Sequence, residues 1–173
     1  AVNASLTLRN WLIGFHIVEY EQQGTDRAQY GDTLLDRLSG RLKEAGVSRA
    51  EARELRRYRQ FYVTYPQIRE SLTPEFGRML PPQTDTRPIR ASLTPKLGVA
   101  ANDVLTKLSF THIVELLRCD DATQRAFYEL ECIRGNWSVR ELKRQIASLY
   151  YERSGLSTDK QRLSTMAQTG AES

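Results

Sequence analysis

The pentad Arg-Glu-Leu-basic-Arg occurs twice in the chain, as Arg53-Glu54-Leu55-Arg56-Arg57 and as Arg140-Glu141-Leu142-Lys143-Arg144. Each copy follows closely on a glycine and on a serine suited to capping a helix. Upstream of the first, Leu34, Leu35, Leu38 and Leu42 recur at helical spacing, so a helix is predicted over 30–45. Gly46 then supplies the residue that reaches positive φ at low cost and ends it. Ser48 predicts the start of the next helix, with Glu51 three positions on completing a capping box. Upstream of the second pentad, Asp121 with Gln124 predicts a start, 122–134 a helix and Gly135 its stop, and Ser138 with Glu141 forms another capping box. Helix, glycine turn and capped basic helix is the outline of a helix-turn-helix, so the expected fold class is mainly α with one or two such units.

Charge follows the same two segments. The chain carries 25 Lys and Arg against 21 Asp and Glu, a formal net charge of +4. Residues 37–59 hold eight basic and three acidic side chains and residues 134–153 hold five and two, which leaves the remainder of the chain at −4. Clustered positive charge is the footprint of a phosphate-bearing partner, because each neutralised phosphate releases counterions. At about 100° per helical residue, Arg49, Arg53, Arg56 and Arg57 share one face while Leu55, Tyr58, Tyr62 and Tyr65 take the other. In the second segment Val139, Leu142, Ile146, Leu149 and Arg153 mark a buried stripe and turn Arg140, Lys143 and Arg144 outward. These seven cations are the candidate contacts to duplex DNA. The alternatives are a solvated charged face, or an oligomerisation or partner-docking module, a homo-oligomer included, whose basic helices meet acidic protein surface.

The rest of the chain predicts helices with one break. Leu8, Trp11, Leu12, Phe15 and Val18 give a first amphipathic helix closed by the polar run 21–27, and Pro66 ends the arginine helix. Pro74, Pro81, Pro82, Pro88 and Pro95 make 73–100 a loop, read as a wing or an inter-lobe linker. Ser109 opens a short helix to Leu117, the Ser138 helix runs to about Arg153, and a polar tail follows. The expected domain is 1–156, with 157–173 a linker. At 40% hydrophobic residues a core can form, but apolar stretches such as 11–15 fall far short of the ~20 residues of a membrane span. With no secretory signal pattern visible, Cys119 and Cys132 are expected to be reduced packing residues in a cytoplasm.

Several stretches carry a family resemblance: Arg9-Asn10-Trp11-Leu12-Ile13-Gly14 with Ile17-Val18-Glu19, Tyr30-Gly31, Phe61-Tyr62 through Tyr65-Pro66, Leu108-Ser109-Phe110-Thr111-His112, Phe127-Tyr128, and Trp137-Ser138-Val139-Arg140-Glu141-Leu142 through Tyr151-Glu152-Arg153. Together they resemble the N-terminal domain of the YhcG-type bacterial proteins, over about 6–164. The resemblance implies a winged helix-turn-helix that binds DNA and precedes a PD-(D/E)XK nuclease domain, with Mg²⁺ expected only in that nuclease. Phe110 stands where the family often has Trp, and Ala52, Arg53 and Glu54 stand where it often has an Asn-Leu pair.

No catalytic or metal site is expected within this chain. A PD-(D/E)XK centre needs an acid and then an acid-x-Lys pair on adjacent strands to gather a metal and steady the attacking water. Glu141-Leu142-Lys143 matches the short pattern, but it lies in a predicted capping box on an amphipathic helix. His16 and His112 lack ligand partners at metal spacing, and His112 is placed to help cap the helix opened at Ser109. Trp137, just before the second basic helix, is expected to staple onto a residue near Leu142.

Overall fold

The computed structural model describes residues 4–23, 31–72, 80 and 100–154. The proline-rich loop and its wing reading therefore lie outside the described residues apart from Leu80 and Ala100, as does the 157–173 linker. Helix α1 spans Ala4–Gln23, α2 Gly31–Glu44 and α3 Ala52–Thr64, followed by a 3-10 turn over Pro66–Ser71. Then come α4 (Ala101–Lys107), α5 (Phe110–Leu116), α6 (Ala122–Gly135), α7 (Val139–Ala147) and α8 (Tyr150–Arg153). The protein is mainly α, and no described helix is long and apolar enough to cross a membrane.

Aromatic side chains organise the core. Trp11 and Phe15 of α1 are fully buried and both meet Tyr62 of α3 edge-on. The Trp11 indole donates to the Tyr65 carbonyl at 2.8 Å, which ties α1 to the end of α3. Phe110 of α5 packs on Tyr58 and Phe61 of α3, while Phe127 of α6 packs on Tyr150 and Tyr151 of α8. Cys119 and Cys132 are free and buried, and burial pushes their thiols up to about 11 and about 12. Arg125 and Glu129 of α6 are buried as well, with Arg125 donating to the Cys119 carbonyl at 3.1 Å.

The helix ends show where local sequence rules hold. Gly46 closes α2 at φ 75°, with Val47 N–H donating to the Leu42 carbonyl at 2.8 Å. The same closure ends α6, where Trp137 N–H donates to the Cys132 carbonyl at 3.1 Å. There the left-handed residue is Asn136 at φ 46°, one position beyond the expected stop. Gly135 is needed for another reason: a Cβ on it would lie 2.4 Å from the Trp137 indole nitrogen. That indole packs against Tyr150 of the following helix as well as against the core cluster that includes Leu142.

Ser138 caps α7 by accepting from Glu141 N–H at 3.2 Å, but the reciprocal half of the capping box is absent. Glu141 turns instead to Arg144 at 2.7 Å and to Gln145 at 2.6 Å. Ser138→Ala is therefore expected to cost about 1 kcal/mol, read from chemical denaturation, because a first-turn N–H loses its acceptor.

Two sequence expectations fail at the basic helices. The first helix begins at Ala52 rather than at Arg49, and Ser48 with Glu51 forms no capping box: Glu51 is the N-cap residue and makes no side-chain cap bond. Arg49 lies in the turn at φ 56°, its carbonyl held by the Tyr58 hydroxyl at 2.8 Å. The second helix stops at Ala147 instead of running to Arg153, because Leu149 adopts φ 54° and restarts the chain as α8. Leu149 is consequently 56% exposed rather than part of a buried stripe, Arg153 is exposed too, and Tyr151 takes the buried place.

Ser109 and His112 cap α5 reciprocally. Ser109 N–H donates to His112 Nδ1 at 3.2 Å and His112 N–H to Ser109 Oγ at 3.4 Å. With Nδ1 an acceptor, Nε2 carries the proton and donates to the Trp137 carbonyl at 3.0 Å. Burial holds the imidazole below its ordinary 6.5, partly offset by the Trp137 bond. The unfolded chain thus binds the proton more readily, and the contribution of neutral His112 is present above about 6.5 and lost as pH falls through the folded value. Denaturation midpoints should drop between pH 7.5 and pH 5.5, and the drop should shrink in His112→Gln.

Candidate functional site

The two pentads occupy the same register of their helices. Arg53 and Arg140 stand second in α3 and α7, Glu54 and Glu141 third, and Leu55 and Leu142 fourth, both leucines fully buried. Leu142 fixes the rotation of α7, and Leu55 with Tyr58, Phe61 and Tyr62 fixes that of α3, so Arg53 and Arg140 are turned outward. Glu54 then pairs with Arg57, and Glu141 with Arg144 at 2.7 Å. The accepted bonds from Arg144 first, and Gln145 next, hold the Glu141 carboxyl below its ordinary range.

Helix α5 packs against both α3 and α7. It brings a third pair of the same spacing, Glu115 with Arg118 at 2.7 Å. Glu115 also receives Lys143 of α7 at 3.4 Å, and only 8% of its side chain is exposed, against 63% for Arg118 and 54% for Lys143. Glu115 and Arg118 also line an open cleft with Arg49, Glu51, Glu54 and Arg57. A cation of the second pentad and Arg118 therefore meet on one carboxylate, at the edge of the cleft that Arg49 and Arg57 also line.

Six of the seven sequence-predicted residues separate into two groups. Arg53 and Arg140 are exposed on their helices and Arg49 on its turn, and among the described residues no carboxylate lies within ion-pairing distance of these three. Arg57, Lys143 and Arg144 are each engaged by an acid of the domain. Arg56 is exposed on α3. Sequence reasoning overlooks Arg118 and Glu115, although Glu115-x-x-Arg118 repeats the spacing of Glu54-x-x-Arg57 and Glu141-x-x-Arg144. Among the described residues, no group of three or more His, Cys, Asp or Glu side chains could hold a metal ion.

A mainly helical domain with two register-matched basic helices is thus in hand, and the chain belongs to the DUF1016 N-terminal domain family, which it matches over 1–81 and 93–153. It is also similar to the protein named "Putative nuclease YhcG" of Escherichia coli (strain K12), with 37% identity over 162 residues covering 92% of this chain. The chain spans 42% of the length of that relative. No solved structure matches it.

Proposed function

We propose that this domain is the DNA-binding and targeting module of a nuclease, gripping duplex DNA through α3 and α7 in the manner of paired helix-turn-helix units. The observation that supports this most is the shared register of the two pentads, which presents the same outward cations from two helices on either side of α5. Arg49, Arg53 and Arg140 are the leading phosphate contacts, Arg56 is exposed beside them on α3, and Arg57, Lys143 and Arg144 join once phosphate competes with their carboxylates. The relative's printed name supports an attached nuclease. In this reading cleavage and its Mg²⁺ belong to that other domain, reached through the 157–173 linker, and the setting is cytoplasmic.

Incubating the chain with labelled duplex in the presence of Mg²⁺ tests the assignment. A shifted, intact duplex is expected. A cut duplex would place catalysis in this domain. An unshifted duplex together with a defined oligomer in light scattering would favour the docking module instead.

A further inference from the structure

Three Glu-x-x-Arg pairs occupy three neighbouring helices, but only Glu115 serves cations from two elements. Its carboxylate is nearly buried while its partners Arg118 and Lys143 remain more than half exposed. This asymmetry matters. A phosphate can replace the carboxylate for these solvated cation ends, but their departure leaves a nearly buried carboxylate unpaired, which is costly, so only a ligand that binds both cations well recovers them. The buried carboxylate cannot follow them and stays fixed beneath the surface, at the edge of the cleft that Arg49 and Arg57 also line.

We propose that Glu115 is a specificity-determining residue of the basic face, one that suppresses binding to polyanions lacking the geometry of duplex DNA. This rests on the DNA-binding reading above. With no ligand, Glu115 draws Arg118 and Lys143 down and cancels part of the positive field between α3 and α7. A ligand must supply phosphates at positions that recover both cations and keep its remaining negative charge clear of the carboxylate, since like charges brought together are costly. A duplex has phosphates at fixed spacing and meets that demand. A flexible sulfated polysaccharide gains from any unneutralised cation and is penalised by the acid wherever it lies.

Replacing Glu115 with Gln keeps the shape of the side chain and removes its charge. The ratio of heparin affinity to random-duplex affinity, measured on the full chain by competition at one salt concentration, is expected to rise about tenfold in Glu115→Gln. Its log K against log salt slope for heparin should steepen. Lys143→Gln in the same background should remove part of the heparin gain, which ties the effect to the shared pair. A thermal melt close to wild type shows that the variant folds. If Glu115→Gln fails to fold, Lys143→Gln and Arg118→Gln in wild type carry the test: heparin should lose less affinity than duplex, and an equal or greater heparin loss overturns the proposal.

An unchanged or lower ratio in folded Glu115→Gln also overturns it. The proposed function fails separately, through wild-type protein that binds no duplex at low salt. In that event heparin elution alone decides, and an elution unchanged by Glu115→Gln refutes the role given to this residue.

Discussion

Gly14→Ala should abolish the cooperative thermal transition of the domain, or lower stability by more than about 3 kcal/mol. A Cβ at position 14 would sit 1.9 Å from the Tyr58 carbonyl oxygen and 2.5 Å from its carbon. The obstacle is backbone, so no rotamer change relieves it and α1 must move away from α3. That movement would open the contacts of Trp11 and Phe15 with Tyr62 and strain the Trp11 bond to the Tyr65 carbonyl. Gly40 is the control: it lies within α2 with nothing inside 4 Å of its would-be Cβ. Gly40→Ala should raise stability by roughly 0.5–1 kcal/mol through helix propensity alone. A Gly14→Ala protein melting within a degree or two of wild type would show that α1 and α3 do not cross this closely.

Reversing Arg53 and Arg140 together, as Arg53→Glu with Arg140→Glu, should lower duplex affinity at least about a hundredfold at low salt, because attraction to phosphate becomes repulsion on both helices. Stability should barely change, since both side chains are exposed and neither has an acidic partner among the described residues. Neutral Arg53→Ala with Arg140→Ala should flatten the slope of log K against log salt by roughly 0.9 for each phosphate that is no longer neutralised. The same changes at Arg57 or Arg144 would be harder to interpret, because each would also strip Glu54 or Glu141 of its partner. Affinity unaffected by the double reversal would remove α3 and α7 from the binding surface.

The helical class, the pentads and most helix spans are legible in the sequence because they depend on local spacing. The helix expected over 122–134 ends within one residue of its observed limit, and Ser138 and Ser109 cap as expected. Local rules fail where a distant group intervenes. Ser48 and Glu51 have the spacing of a capping box, yet the Tyr58 hydroxyl, nine residues on from Arg49, fixes the Arg49 carbonyl and delays the helix to Ala52. The break at Leu149 is similar: Tyr151 N–H reaches the Tyr128 hydroxyl of α6 at 3.2 Å, a bond that the helical spacing after Ser138 does not foretell. Helix α4 is hidden behind the prolines, although Val104, Leu105 and Leu108 are all buried.

The candidate site is half visible in the sequence. Its cations follow from charge clustering, but the pairing of Lys143 with Glu115 depends on how α5 packs against α7, and no spacing within α5 encodes it. The Glu-x-x-Arg spacing is present in the sequence, but it recurs at Glu75-x-x-Arg78 and Glu131-x-x-Arg134 and so does not single out Glu115.

In the proposed function the two basic helices grip the DNA backbone. Fluorescence polarisation of a labelled random duplex, titrated with the wild-type chain at 50 mM and at 200 mM salt, tests it most directly. Saturable binding at low salt that weakens steeply at high salt is expected, as several phosphate contacts require. No polarisation change at either salt, or an affinity indifferent to salt, would contradict it.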